Sequence, residues 1–264
     1  MRCAAVLAML CLLSASVAAQ APSVTLAPTG TLRAVFLGGN PVQGRVDAQT
    51  GTMTGPVPDL VKELARKLGV PYTILPAQNA RGVIDALKDQ SADIGFLAYD
   101  ETRAREVEFG APFLVMFNSY LVSATSSIQR SADVDRAGVT VAAVKGQTQE
   151  LFVSSHLKNA NVRVLATMPG QPELERVLMS GEVDAFAINR QRSLEAQAES
   201  GGRLRALPDN FLEVDQCFVV EKGNRAKLDA IEQFVNEVRV SGFIKSSMER
   251  ARLTGVDVPT GKKR

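Results

Sequence analysis

Apolar and polar residues recur with two different periods along the chain, and together the two periods predict a regular succession of strands and helices. The clearest helical pattern covers residues 58–70, where Leu60, Val61 and Leu64 share one face and charged residues occupy the other. This spacing is typical of an amphipathic helix. The neighbouring segments predict a first α/β lobe with a largely parallel sheet. They are the predicted strands TLRAVFLGG, YTILP and ADIGFLA and the predicted helix RGVIDALKDQ.

A second lobe with the same order of elements is predicted further along the chain. Its strands are GVTVAAV, VRVLAT and EVDAFAI, and its helices are GQTQELFVSSHLK and PELERVLMSG. The stretch LKDQSADIGFL of the first lobe is similar to LMSGEVDAFAI of the second, with a leucine, an aspartate and an apolar strand at the same spacing. This similarity indicates two lobes built alike. The residues beyond 226 predict helix, and Gly242 is expected to separate two helices.

Two extended apolar runs, PFLVMFNSYLVSA and FLEVDQCFVVEKG, lead from the first lobe to the second and back. Two connecting strands make a hinge, and a hinge makes a cleft. We therefore predict a first lobe of residues 31–118 and 222–264 and a second lobe of residues 119–221. Because ligands of open α/β sheets lie beyond the carboxyl ends of the strands, the residues after DIGFLA and EVDAFAI should face that cleft.

The beginning of the chain is typical of an exported protein. Residues 1–19 combine one positive charge, an apolar run and small residues before Ala19, which predicts a cleaved signal peptide and an exported protein. A membrane anchor is the alternative, but the apolar run is shorter than the roughly 20 residues that a spanning helix needs. Residues 20–30 are predicted to be a disordered leader.

Composition excludes several classes of function. Formal charge is +2 and the sequence has no Trp and three Tyr, so nothing indicates a nucleic-acid partner. Cleavage would leave Cys217 as the one cysteine, and we expect it to be a buried small hydrophobe. One histidine, His156, and one remaining cysteine do not favour a His/Cys metal site, and we expect no metal and no cofactor.

The stretch ADIGFLAYDETRAREVEFGAPF, residues 92–113, resembles the family 3 extracellular solute-binding proteins, the periplasmic receptors of ABC importers for polar amino acids. The resemblance extends over residues 31–253. It implies a class II periplasmic-binding-protein fold, a Venus flytrap of two α/β lobes, and it implies that Arg103 holds the carboxylate of the ligand. A guanidinium matches a planar carboxylate with paired donors. The alternative is that Arg103 pairs with Asp100 or Glu106 on a short surface helix.

The segment VKGQTQE of the second lobe predicts an anion site, because a helix that begins after a glycine turn presents free N–H groups. The resemblance implies that Gln147, Thr148 and also Gln149 bind the same carboxylate from the other side. An ordinary helix N-cap is the alternative for this segment. Together with Arg103, the turn would close the two lobes on the ligand.

Other positions depart from the pattern of amino acid binders. The resemblance implies an aspartate that holds the ligand's ammonium, but this chain has Asn189 at that position. The aromatic platform near the first strand is missing, and Ala98 stands where the family has a hydroxyl residue. We therefore predict a carboxylate ligand that need not be an α-amino acid, gripped by Arg103 and Thr148. Two further sets of residues are expected in the cleft: Asn189 with Asn79, and Tyr99 with Arg190.

Two other functions stay open at the level of sequence. Cyclohexadienyl dehydratases have the same fold, and Asp85, Asp100 and Glu101 are acids that could transfer protons, although each is also typical of a solvated helix face. A ligand-binding sensor is the other alternative. We predict a monomeric binding protein that is not an enzyme and whose partners are a small carboxylate ligand and an ABC permease.

Overall fold

The computed structural model describes residues 26–259. Its α-helices, in chain order, are α1 (Pro56–Leu68), α2 (Ala80–Lys88), α3 (Thr148–His156), α4 (Gln171–Met179), α5 (Arg190–Glu199), α6 (Arg225–Val240) and α7 (Phe243–Arg250). Its strands are β1 (Leu32–Leu37), β2 (Arg45–Val46), β3 (Met53–Thr54), β4 (Tyr72–Ala77), β5 (Ile94–Ala98), β6 (Val107–Ser123), β7 (Thr140–Val144), β8 (Asn161–Leu165), β9 (Ala185–Asn189), β10 (Leu204–Ala206), β11 (Leu212–Glu221) and β12 (Val256–Asp257).

The main sheet contains two parallel three-stranded units joined by two antiparallel strands. Its principal order is β4-β1-β5-β11-β6-β9-β7-β8. Strand β1 pairs in parallel with β4 and β5, and β7 pairs in parallel with β8 and β9. Strands β6 and β11 pair antiparallel with each other and link the two units. The predicted architecture of two α/β lobes joined by two crossover strands is thereby confirmed.

The similar stretches noted in the sequence have the same structural role in the two lobes. Asp93 lies just before β5, and its side chain accepts the backbone N–H of Arg33 at 2.9 Å while its own N–H donates to the Arg33 carbonyl. Asp184 lies just before β9 and makes the same pair of hydrogen bonds with Thr140, at 2.8 and 2.9 Å. Each aspartate therefore fixes the register between two neighbouring parallel strands.

The buried apolar side chains divide between the two units. One pair of clusters packs helices α1, α2, α6 and α7 against β1 and β5, and the other pair packs α3, α4 and α5 around β7 and β9. Strand β11 contributes Val214, Phe218 and Val220 to the first pair. The predicted residue boundaries of the lobes stay a prediction, although the separation of these clusters agrees with a first and a second lobe.

Helix α1 illustrates how local sequence produces these elements. Proline occupies its first turn, where no intrahelical N–H bond is lost, and Gly69 ends it with a positive φ of 67°. Leu60, Val61 and Leu64 are buried as the pattern predicts. The predicted break between the last two helices is confirmed at Gly242, which has a φ of 75°.

Several features were not predicted. The prediction that residues 20–30 form a disordered leader is wrong for their final part. Leu26 is 1% exposed and packs with Ala27 in the core of the first lobe. Helix α5 was missed because its residues are mostly polar and lack an apolar stripe. The predicted signal peptide, residues 1–19, lies outside the described residues.

Two simpler expectations have clear outcomes. Cys217 is buried in β11, 3% exposed, so its predicted place as a small core residue is confirmed. Among residues 26–259, no helix is long and apolar enough to cross a bilayer.

Candidate functional site

A cavity of about 470 Å³ lies where the carboxyl ends of strands from both lobes meet. The first lobe contributes the ends of β1 and β5 and the start of α2, and the second contributes the turn before α3, the loop after β8 and the end of β9. Seven of the residues predicted from the sequence line it, namely Asn79, Ala98, Arg103, Gln147, Thr148, Gln149 and Asn189. The volume is in the range of about 300–1,000 Å³ that is usual for ligand sites.

Arg103 is the central cation of this cavity. It follows β5 in a short 3₁₀ turn, Arg103–Arg105, and is 7% exposed. Its Nη1 donates to the Ala98 carbonyl at 3.0 Å, and its Nη2 donates to the Gly146 carbonyl of the second lobe at 2.9 Å. The guanidinium therefore extends from one lobe to the other.

The charge of Arg103 is not neutralised by an acid within the described residues. None of the ion pairs among residues 26–259 includes it. Desolvation lowers the pKa of Arg103, and the charge of Asp100 opposes that shift. A buried cation that lacks a directly paired anion favours an anionic ligand.

The alternative partners considered for Arg103 are used elsewhere. The Asp100 carboxylate accepts the backbone N–H groups of Thr102 and Arg103 at 2.9 and 3.1 Å, so it shapes the turn. Glu106 forms ion pairs with Arg81 and Lys88, at 2.9 and 2.6 Å. The guanidinium of Arg103 is therefore left for the cavity rather than for a surface ion pair.

The turn before α3 provides the other wall. Gly146 has a φ of 72°, a left-handed conformation that favours glycine, and Gln147 is the N-cap of α3 without a side-chain capping bond. Thr148 begins the helix, and its Oγ1 lies 3.5 Å from Nη1 of Arg103. The turn therefore places a hydroxyl and the N-terminal end of a helix beside the guanidinium, and the binding of a carboxylate there stays a prediction.

A buried amide network supports this turn and was not predicted beyond Gln149 itself. Gln149 is 3% exposed, and its Nε2 donates to Asn118 Oδ1 at 2.6 Å. Asn118 Nδ2 donates in turn to the Leu212 carbonyl at 3.2 Å. Because Asn118 lies in β6 and Leu212 in β11, the network ties α3 to both crossover strands. A polar residue inside the apolar run of β6 was the signal that could have revealed it.

Asn189 and Asn79 line the cavity, but each also caps a helix. Asn189 Oδ1 accepts the backbone N–H of Arg192 at 2.8 Å, and Asn79 Oδ1 accepts that of Gly82 at 3.0 Å. Asn189 is 7% exposed. In both residues the amide oxygen is engaged by a backbone N–H, so the amide NH₂ is the group left to donate to a ligand.

Two predicted residues do not line the cavity. The ring of Tyr99 packs edge-on against Phe109 with centroids 5.2 Å apart, and the Arg190 guanidinium donates to the Leu207 carbonyl at 3.1 Å. Side chains of consecutive residues in extended chain point to opposite sides, which separates Tyr99 from Ala98.

Arginine 192, rather than Arg190, lines the cavity, together with Lys145 and Arg81. With Arg103, these residues supply four cations to the lining, whereas none of the described lining residues is Asp or Glu. Sequence reasoning missed this set because its members come from separate segments of the chain. Within residues 26–259, no cluster of three or more His, Cys, Asp or Glu side chains is arranged for a metal ion.

Comparison with known proteins agrees with this architecture. The L-cystine-binding protein TcyJ of Escherichia coli is 22% identical over 203 residues, which cover 76% of this chain and 74% of TcyJ. The arginine-bound structure of AbpA, from an amino acid ABC transporter of Streptococcus pneumoniae, has a TM-score of 0.71 at 21% identity and covers 86% of this chain and 96% of AbpA.

A second solved structure has the same fold. The ancestral amino acid-binding protein AncCDT-1, a precursor of cyclohexadienyl dehydratase, has a TM-score of 0.70 at 22% identity, covering 86% of this chain and 97% of AncCDT-1. These likenesses confirm the class II periplasmic-binding-protein fold. The sequence profile of the bacterial extracellular solute-binding proteins, family 3, matches residues 34–251. The chain therefore belongs to family 3 of the bacterial extracellular solute-binding proteins.

Proposed function

We propose that this protein captures a small carboxylate-bearing solute between its two lobes in the periplasm and delivers it to an ABC importer. The observation that carries the proposal is the buried guanidinium of Arg103, which opens into the cavity, is not ion-paired within residues 26–259 and contacts both lobes. A ligand carboxylate would replace part of the hydration that burial removes from this cation. Each charge-assisted hydrogen bond of this kind contributes about 1.5–3 kcal/mol.

The two-lobe grip gives ligand capture a physical basis. Arg103 belongs to the first lobe, and Thr148 with Gln147 belongs to the second. A carboxylate held by both groups makes its full set of contacts when the lobes are together, so the ligand stabilises the closed arrangement by its differential affinity. In a receptor for a permease, that closed arrangement is the form delivered to the membrane partner.

Catalysis on the same fold is the second candidate, and the site argues against it. The acids considered for proton transfer, Asp85, Asp100 and Glu101, are absent from the cavity lining, as are all Asp and Glu side chains of the described residues. Asp85 pairs with Arg81 on the exposed side of α2. A dehydratase reaction needs a group in the cleft that transfers a proton. We therefore propose binding without catalysis, and an assay for prephenate or arogenate consumption should give the background rate.

A thermal-shift screen of refolded protein tests the binding proposal. Refolding removes any copurified ligand, and the panel should include amino acids beside organic, aromatic and sugar acids. At a hundredfold excess over Kd, a ligand adds about 2.7 kcal/mol to the free energy of unfolding. For a chain of this length the Tm should rise by roughly 5–10 °C.

The decisive variant is Arg103→Gln, with Arg105→Gln as its matched control two residues away on the exposed side of the same turn. We expect the shift to vanish in Arg103→Gln and to persist in Arg105→Gln. Thr148→Val, which keeps the side-chain volume, should weaken binding by about tenfold because one hydrogen bond is lost. Undiminished affinity in Arg103→Gln would refute the assignment.

Delivery to a permease needs a separate test. If an ABC permease is encoded beside its gene, purified protein loaded with a ligand found in the screen should stimulate ATP hydrolysis by that permease. Stimulation of a neighbouring receptor kinase instead would favour the sensor alternative.

A further inference from the structure

The cavity contains more positive charge than one carboxylate requires. Arg81 is engaged by Asp85 and Glu106, at 2.7 and 2.9 Å. The side chains of Arg192 and Lys145, by contrast, take part in no hydrogen bond or ion pair among residues 26–259. Arg192 is half-buried and Lys145 is exposed. Two cations besides Arg103 are therefore available to a ligand.

The same cavity is poorly suited to an ammonium group. The described lining residues include no carboxylate. At the end of β9, Asn189 Oδ1 already accepts the Arg192 backbone N–H at 2.8 Å, so Asn189 offers a ligand one further lone pair and an NH₂ donor, but no negative charge. A buried ammonium without a neighbouring anion is disfavoured, and neighbouring cations disfavour it further.

From these observations we infer that the ligand is a small organic dianion without an amino group, a dicarboxylate. One carboxylate is held by Arg103 with Thr148, and the second is held by Arg192 with Lys145 and the Asn189 amide. The inference rests on the proposed function, since it assumes that the cavity binds an acid at Arg103. Arg192 contributes more than Lys145, because an exposed charge is screened by salt and a half-buried one is screened less.

Two matched ligand pairs test the inference by calorimetry on the refolded full-length mature protein. Glutarate and pentanoate have the same number of carbons and differ by the second carboxylate, whereas glutarate and L-glutamate differ by the ammonium. We expect glutarate to bind at least about tenfold more tightly than either of the others, since one charge-assisted hydrogen bond corresponds to roughly that factor. Succinate and adipate extend the series to find the best spacing of the two carboxylates.

Two variants on the same helix show where the second carboxylate binds. Arg192→Gln should weaken the binding of glutarate by about tenfold or more and leave the affinity for pentanoate unchanged. The control Arg190→Gln removes a neighbouring cation that does not line the cavity, and it should leave both affinities unchanged. Lys145→Gln should reduce glutarate binding at low salt more than at high salt.

The outcomes separate this inference from the proposed function. Equal affinities for glutarate and pentanoate, both lost in Arg103→Gln, would overturn the inference of a dianionic ligand. The proposal that the protein binds a carboxylate at Arg103 would still hold. Tighter binding of L-glutamate than of glutarate would likewise overturn the inference, because an ammonium would then be accepted. Failure of every acid to bind the folded protein would overturn both.

Discussion

The matched aspartates before β5 and β9 allow a sharp test of what holds the first lobe together. Asp93 and Asp184 make the same two backbone hydrogen bonds to a neighbouring strand, but Asp93 is also paired with the Arg33 side chain. The Arg33 Nη2 and Nε atoms lie 2.6 and 3.1 Å from the two Asp93 oxygens. The perturbation is Asp93→Asn, and Asp184→Asn is its internal control.

The expected difference follows from these contacts. Asparagine keeps an acceptor for the backbone N–H, so Asp184→Asn loses charge assistance and should lower the free energy of unfolding by about 1 kcal/mol. Asp93 is 1% exposed, and breaking a buried ion pair lowers stability by about 3–5 kcal/mol. Because 27% of the Arg33 side chain is exposed, water can solvate the freed guanidinium, and we expect the lower end, about 3 kcal/mol.

Urea unfolding followed by far-ultraviolet circular dichroism measures both variants, since the sequence has no Trp for fluorescence. With a slope of about 2 kcal/mol per molar urea, the midpoint of Asp93→Asn should lie about 1 M below that of Asp184→Asn. Unchanged slopes would show that both variants unfold as the parent does. Equal midpoints for the two variants would refute the argument that the Arg33 pair stabilises this strand junction.

Two further predictions concern the segment after α7 and the loss of stability at acidic pH. Gly255→Ala would place its Cβ against the Gln191 backbone nitrogen, closer than any real Cβ contact, and should lower stability by about 2 kcal/mol in urea unfolding, whereas Gly170→Ala, with no neighbour closer than 3.9 Å, should be nearly neutral. Backbone hydrogen bonds, led by that of Asn159, lower the pKa of Asp135 in the folded protein. The ionised carboxylate therefore stabilises the fold at a pH above about 3.9, the pKa of an unfolded aspartate, and this stabilisation is lost as the pH falls further. Thermal melts from pH 7 to 3 should show a fall below about pH 4 that is shallower in Asp135→Asn; parallel curves would contradict the assignment.

Local sequence determined much of the architecture, because the relevant forces act over a few residues. The apolar face of Leu60, Val61 and Leu64 predicted α1, and the apolar runs ending at Ala98 and Asn189 predicted β5 and β9. Since the carboxyl ends of parallel strands are the binding edge of an α/β sheet, these runs also located the cavity. The position of Arg103 in it followed from its place after β5.

Tertiary structure decided what no local pattern could. The orientation of the Arg103 guanidinium depends on Gly146, a residue distant in sequence. The Gly146 carbonyl accepts a hydrogen bond from Nη2 of Arg103, which holds the guanidinium at the cavity. That Lys145 and Arg192 line the same cavity as Arg103 required both lobes to fold and meet. Sequence patterns report which face of an element is apolar, whereas the charge of a cavity is a sum over side chains from separate elements. For that reason the sequence predicted an acid-binding cleft, whereas the cations from which we infer a second acid group come together only in the assembled lobes.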